Sequence, residues 1–403
     1  MKKIFITLVM GAAMLSACQN ELYNNPVEDF SSEQGAYIDA SGPIQIFVEE
    51  GREYNVKDIK VGLTVKEDQA NSVSLIAGDE AQLQAYNEAN GTQYLMLPAE
   101  MYEVPQKMEF KATSSKQMIP IKLKDIKFSM EGDYALPIKI VGGGVNVIPG
   151  EDEGIVILEK RIRTKVLKMA GSEAGSDQMF PQDFKVNQWT MEVMINRSDY
   201  SRNNQAIAGT KLVANAGPMD EIYTRFGDVT IDPNQLQIKT GASQIDIPKN
   251  KFAAKADEWY MLGFVYDGKN TIVYVNGEVV AEQQIREGAY GLVGFWLSGV
   301  NKYVREVRFW DVARTQQQIK SYVWKMVNPT EKGLLLYYPC NGQKRNHETG
   351  EITEDASKIW NWATYYGEGK DNKLELLEKL DLPTKGSIFD DNGGDMFVFP
   401  LEE

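Results

Sequence analysis

The sequence predicts an all-β protein of two β-sandwiches in series, with few short helices. Three observations carry that expectation. First, residues 259–277 read WYMLGFVYDGKNTIVYVNG and hold two runs rich in β-branched and aromatic side chains, 261–266 and 271–275. Asp267-Gly268 opens the loop between them, and Asn276-Gly277 turns the chain into a third run at 278–283. Asn-Gly is the strongest short hairpin signal, because a type I′ turn needs positive φ at both central residues. Such a meander cannot bury its apolar face alone and calls for a second sheet. Second, residues 36–159 alternate in short apolar runs separated by Gly, Pro and charged clusters, as a small sandwich does. Third, residues 188–195 (QWTMEVMI) alternate as one further strand.

Composition bounds the function. A chain of 403 residues with 43% apolar content is long enough for two or three packed domains. A formal charge of −14 argues against nucleic acid as a partner, which would require a basic footprint. The two cysteines, Cys18 and Cys340, make no disulfide framework, and one histidine, His347, leaves a Cys/His zinc site without ligands. No serine sits in a nucleophile elbow that would pair with His347. Cys340 reads as a buried small hydrophobe.

The N terminus speaks to the compartment. Lys2 and Lys3 precede an apolar run at 4–15, too short to span a bilayer, and no other segment is long and apolar enough. Leu15-Ser16-Ala17-Cys18 then resembles the lipobox of bacterial lipoproteins. The resemblance implies that residues 1–17 are a signal peptide and that Cys18 carries the lipid. Glu21, Glu28 and Asp29 soon after it are compatible with export to the outer face, so the expectation is an outer-membrane lipoprotein facing the cell exterior. Residues 18–34 are polar and contain Pro26, which suits a flexible tether from the lipidated cysteine.

The first body is expected over residues 35–160. Strands are expected at 35–38, 43–48, 59–65, 107–111, 118–123, 134–140 and 155–158, with a short helix at 80–89 capped by Asp79 and ended by Asn90-Gly91. Three stretches in it, Ala85-Tyr86-Asn87, Asn90-Gly91-Thr92-x-Tyr94-x-x-Leu97-Pro98-x-x-x-Tyr102 and Tyr134-Ala135-Leu136-Pro137-Ile138, resemble domain-of-unknown-function family 1735. That resemblance implies an N-terminal immunoglobulin-like β-sandwich, acting as a spacer in glycan-handling surface lipoproteins. Residues 151–154 (EDEG) lack the alternate spacing of a calcium loop and read as solvated. The basic run at 160–168 reads as a strand with one charged face.

The second body is expected over residues 166–403, with a C-terminal extension. Further strands are expected at 206–213, 221–226, 235–240, 290–297 and 304–310. Thr315-x-x-Gln318 is a capping box opening a helix whose apolar face is Ile319, Tyr322, Val323 and Met326. Trp259, Phe264-x-Tyr266-Asp267-Gly268, Tyr274-x-Asn276-Gly277 and Glu306-Val307-Arg308-Phe309-Trp310-x-x-x-Arg314-Thr315 resemble the laminin-G-like, concanavalin-A-like lectin domains, as does Gly333-Leu334-Leu335-Leu336-Tyr337-Tyr338. The resemblance implies a concanavalin-A-like (laminin-G-like) jelly-roll β-sandwich.

That fold hosts both lectins and glycoside hydrolases, so the site must decide. Hydrolysis needs paired carboxylates about 5 to 10 Å apart. The resemblance implies a Glu-x-Asp-x-Glu pattern for such an enzyme, whereas Glu131-Gly132-Asp133 is the one Glu-x-Asp and has no third acid. Sugar binding needs an aromatic face and a few convergent polar groups. The candidates are Trp296 and Tyr303, flanking Ser298-Gly299-Val300-Asn301, then Tyr223 with Arg225 on one strand, and Trp360 with Trp362. The last two sit two apart and share a face if extended, which suits a stacking platform or, better, a core strand. The resemblance also implies calcium (Ca2+) at one sandwich edge, with Asp220 and Glu221 as candidates, although the pair also reads as an ordinary acidic turn. The expected reading is a non-catalytic, lipid-anchored surface glycan-binding protein with a glycan ligand, an outer-membrane lipid held through Cys18 and outer-membrane glycan-transporter components as partners. A structural or protein-binding lipoprotein and a glycosidase with an unread acid pair are the alternatives.

Overall fold

A computed structural model describes residues 35–401 except 41, 65–69, 91, 129–131, 212–220, 242 and 367–373. The expected signal peptide, Cys18, the tether at 18–34, Gly91, Glu131 and Asp220 lie outside the described residues. The chain forms two compact units that divide between Lys160 and Arg161. Among the described residues it is overwhelmingly β, and no described helix is long and apolar enough to cross a membrane.

The first unit builds two main sheets from β1 (Gly35–Asp39), β2 (Ile44–Val48), β3 (Lys60–Leu63), β4 (Asn71–Ala77), β5 (Lys107–Phe110), β6 (Lys116–Met118), β7 (Tyr134–Gly143) and β8 (Glu153–Lys160). One sheet runs β2–β8–β7–β4–β5 and the other contains β1–β3–β6. Val73, Leu75, Leu136, Ile138, Val156 and Leu158 from the first sheet meet Ile38, Val61 and Leu63 from the second in one core. The helix α1 (Glu80–Asn90) opens with Asp79 Oδ1 accepting from Gln82 N at 3.0 Å. It rests Leu83 on Ala135, Ile155 and Ile157. Strand β4 is missing from the expected strands, although Val73 and Leu75 alternate with Ser72 and Ser74 and are buried; the alternation is short and ends at Ile76.

The second unit is a two-sheet sandwich with a third layer. Its strands are β9 (Val166–Lys168), β10 (Ala174–Ser176), β11 (Trp189–Asn196), β12 (Gln205–Thr210), β13 (Ile222–Asp228), β14 (Ile231–Thr240), β15 (Ser243–Asp246), β16 (Trp259–Tyr266), β17 (Thr271–Val275), β18 (Glu278–Gln283), β19 (Phe295–Leu297), β20 (Tyr303–Trp310), β21 (Leu334–Tyr338) and β22 (Ile388–Asp390). The larger sheet runs β18–β17–β16–β11–β20–β9–β22, with β21 also paired to β20. The smaller runs β10–β19–β12–β13–β14–β15. Between them Trp189, Met191, Val193, Leu262, Phe264, Val307 and Phe309 face Ile207, Ile222, Phe226, Leu236, Ile238 and Phe295. In addition, Ile162–Thr164 pairs antiparallel with Phe397–Phe399.

The meander forms as its residues dictate. Asn276 and Gly277 take φ of +49° and +81°, the pair of positive values a type I′ turn requires. Asp267 Oδ1 accepts from Lys269 N and Asn270 N at 2.8 and 2.7 Å and closes the preceding loop. Every residue of β16 is buried, so both faces of this sheet are covered. The outward side chains Trp259 and Met261 pack with Val166, Met194, Val323 and Phe399. A strand buried on both sides reads as a continuous apolar run, which is how WYMLGFVY reads.

Three expectations need correction. The run at 290–297 is two pieces, Tyr290–Gly291 and β19, paired to different neighbours. At the break, a side chain on Gly294 would meet the Ser176 carbonyl oxygen at 2.0 Å. The helix after Trp310, α2 (Gln316–Ser321), has the expected reciprocal capping box but stops before Tyr322. Arg308 Nη1 donates to the Tyr322 carbonyl at 3.2 Å and Nη2 to the Lys325 carbonyl, drawing that backbone onto the sheet instead of into another turn. Residues 341–357 (NGQKRNHETGEITEDAS) read as a polar loop, but they hold a hairpin, Gln343–Arg345 against Ile352–Glu354.

Candidate functional site

The outer face of the smaller sheet carries a groove of about 640 Å³. Its floor follows from register. Trp296 on β19 lies opposite Gly175 on one side and Gly209 on the other, and Gly209 in turn lies opposite Tyr223 on β13. A side chain on Gly209 would sit 2.7 Å from Trp296 Cζ2, so glycine lets the indole lie across the β12 backbone. Trp296 Nε1 donates to the Thr210 carbonyl at 3.1 Å and fixes the ring. The Tyr223 ring stands 5.4 Å from it, centroid to centroid, at 48°. Trp296 is only 5% exposed, whereas Tyr223 is half-buried, so the tyrosine presents the more accessible surface.

Polar groups surround the two rings. Glu173 precedes β10, Asp177, Gln178 and Gln182 follow it, Lys211 follows β12, and Glu221 precedes β13. Ser298 and Thr210 are buried in the wall. Lys211 Nζ lies 2.6 Å from Glu173 and 3.4 Å from Asp177. Burial pushes the Lys211 ammonium down, but the two carboxylates outweigh it and hold its pKa above the ordinary lysine value. Burial likewise raises the Tyr223 phenol, which stays neutral at physiological pH.

Arg225 supports this wall and does not face the groove. Its Nε donates to Gln237 Oε1 at 2.6 Å, Nη1 to Asn204 Oδ1 at 2.8 Å, and Nη2 pairs with Asp228. Each of the three guanidinium nitrogens has a partner, and its Cζ lies 5.8 Å from the centre of the Tyr223 ring. Below the groove, buried Arg197 donates to Asn301 Oδ1 at 2.6 and 2.9 Å and to the Ala206 carbonyl. Burial pushes this guanidinium down to about 10.

The other sequence candidates are elsewhere. Tyr303 is on β20, in the opposite sheet, so it forms no platform with Trp296. Its ring stacks on Trp259 at 6.1 Å, and its hydroxyl donates to Asp390 Oδ2 at 3.1 Å. Trp362 is 1% exposed, packs with Trp310 and Tyr337, and donates Nε1 to the Gln343 carbonyl. Trp360 packs partly against the same cluster, with its Nε1 on the Asp355 carbonyl at 2.8 Å. The strand ends at Ile359, so the spacing of two does not align the tryptophans on one face. Cys340 is buried, and burial holds its thiol well above the ordinary range. Glu221 reaches the groove, and among the described residues no cluster of three acidic, His or Cys groups is arranged to hold a metal.

The sequence therefore singled out Trp296 and Tyr223 as sugar candidates and Glu221 as a calcium candidate, all three of which line the groove, but not Glu173, Asp177, Lys211 or Gly209. Gly209 was the readable signal, since an isolated glycine within a strand marks close approach of another group. The remaining three are ordinary surface residues until β10 and β12 pair on either side of β19.

Comparison with known proteins places these observations. Residues 174–320 match the family model of the concanavalin A-like lectin/glucanases superfamily, and residues 30–146 match a family model described as an N-terminal domain. No curated protein matches the chain. Among solved structures, a candidate carbohydrate binding protein from Bacteroides ovatus is 20% identical over 81% of this chain and 93% of that one, with a TM-score of 0.51. A multidomain protein including domain-of-unknown-function family 1735, also from Bacteroides ovatus, is 12% identical over 68% of this chain and 95% of that one, with a TM-score of 0.27. Bacteroides thetaiotamicron EndoBT-3987 with Man5GlcNAc product is 18% identical over 29% of this chain and 28% of that one, with a TM-score of 0.26. The second unit continues past the matched stretch, with β21 and β22 completing its larger sheet. Over residues 174–320 the chain carries a concanavalin A-like domain of the lectin and glucanase superfamily.

Proposed function

We propose that this protein binds a glycan without cleaving it, in the groove of its second unit. One observation carries the reading: Trp296 and Tyr223 stand side by side over Gly209, rimmed by amide, hydroxyl and carboxylate groups. A pyranose has an apolar face and an equatorial ring of hydroxyls, so a tyrosine face with convergent polar groups meets both demands. The candidate carbohydrate binding protein that shares the fold lends support. Binding is favoured over hydrolysis by the state of the acids. Glu173 and Asp177 are both held by Lys211, which leaves Glu221 as the one carboxylate of the described lining outside that ion pair, whereas hydrolysis calls for two. The fully buried Glu192 and Glu306 lie off the groove, paired with arginines.

In this reading Cys18 carries a lipid, residues 19–34 form the tether, and the first unit is a spacer that presents the second outside the outer membrane. The bound glycan is passed to a neighbouring transporter of a glycan uptake system. Affinity electrophoresis against a glycan panel, with Tyr223→Ala alongside, tests the binding. Retardation of the wild type that the variant loses is the expected result. A protein that no glycan retards, or release of reducing ends from any of them, overturns it.

A further inference from the structure

The charges around the groove say which glycans it takes, granted that it takes glycans at all. We infer that the site selects uncharged sugar chains and rejects those bearing carboxylate or sulfate.

Three carboxylates, Glu173, Asp177 and Glu221, line the groove, and among its described lining residues Lys211 is the one cation. That ammonium is already shared between Glu173 and Asp177. The Arg225 guanidinium, on the strand that carries Tyr223, is turned to Gln237, Asn204 and Asp228 and does not line the groove. Recognition of an anionic sugar uses a charged fork or an ammonium whose charge is not already compensated, and the one ammonium here faces two carboxylates. An incoming carboxylate meets a rim with an excess of negative charge. The remaining polar groups are Gln178, Gln182, Thr210 and Ser298, suited to hydroxyl and acetamido groups. Two uncompensated charges about 7 Å from a bound anion, largely in water, weaken binding by about fivefold or more. Salt reduces that penalty, because the rim is exposed.

A matched pair tests this in the full-length mature protein. A neutral polysaccharide retained in the panel is oxidised at its primary alcohols, so that the same chain carries 6-carboxylates. Both forms are titrated calorimetrically against the wild type and against Glu173→Gln/Asp177→Asn/Glu221→Gln. The expected result is weaker binding of the oxidised chain by about fivefold or more at low salt, with the gap narrowing in the triple variant and at raised salt. Equal or tighter binding of the oxidised chain by the wild type overturns the inference and leaves glycan binding standing. So does a gap that neither salt nor the triple variant narrows, since the loss would then be steric. If no polysaccharide, neutral or acidic, is bound, both readings fall together.

Discussion

Glu306 Oε2 lies 2.8 Å from Arg308 Nη2, and neither side chain is exposed. Glu306 sits at φ +47° in mid-strand, where the pairing of β11 with β20 slips between Glu192 and Met194. That bulge turns Arg305, Glu306 and Arg308 away from the core while Val307 and Phe309 stay in it. Burial disfavours the Arg308 guanidinium, but Glu192 and Glu306 outweigh it and keep the group protonated. Removing one partner strands a buried charge. Glu306→Ala is expected to cost about 3–5 kcal/mol in urea unfolding, and Glu306→Gln less, since it keeps an acceptor for the Tyr337 hydroxyl at 3.0 Å. A cost under about 1 kcal/mol would mean that water reaches the pair.

Gly209→Ala separates the floor of the groove from the rest of the fold. Its new methyl would lie 2.7 Å from Trp296 Cζ2 and 2.1 Å from the Ile222 carbonyl oxygen. The indole must leave the β12 backbone, so thermal unfolding should show a loss of about 1–3 kcal/mol. Glycan retention by the folded variant should fall with it. Unchanged retention would remove Trp296 from the site.

Tyr223→Ala should act on binding first. The ring contributes stacking worth about 0.5–1.5 kcal/mol, so affinity measured calorimetrically should drop by about 3- to 10-fold. Trp362→Ala should do the reverse. Its side chain fills a core with Trp310 and Tyr337, and truncation should cost about 3–5 kcal/mol while the folded fraction binds as before.

Acid should loosen the edge of the larger sheet. Asp390 is held below its ordinary value, first by the Asn392 backbone N–H at 2.8 Å and then by Lys168 and Tyr303, against the opposing effect of burial. A carboxyl with a depressed folded-state pKa stabilises the fold above its unfolded value, near 3.9, and loses that contribution as pH falls through the folded value. Hydrogen-exchange protection of β9 and β22, taken relative to the slower intrinsic exchange in acid, should therefore fall as the pH drops below about 4. Asp390→Asn should blunt the effect, and an identical acid profile in the variant would place the labile group elsewhere.

The meander was legible because its turn residues and apolar runs are local properties of the chain. The strand β20 was legible as a strand, but its bulge was not. Val304, Val307 and Phe309 break the period of two, and the sequence alone does not say whether such a break is a bulge or a loop. Trp296, Tyr223 and Glu221 stood out by residue type, while Lys211 and Glu173 acquire meaning only through long-range pairing. Tyr303 and Trp362 could not be told apart from platform residues by type, because large rings serve cores and sugar platforms equally well; the core reading preferred for Trp362 is the one the structure shows.

The pairing of Ile162–Thr164 with Phe397–Phe399 brings the first and last strands of the second unit side by side. Phe399 also forms part of the layer that covers Trp259 and Met261. The final residues therefore act as a latch, holding shut the back of the same sheet from which the chain enters. Trimming them would unzip that seam and wet the tryptophan behind it, on the side of the sandwich turned away from the groove.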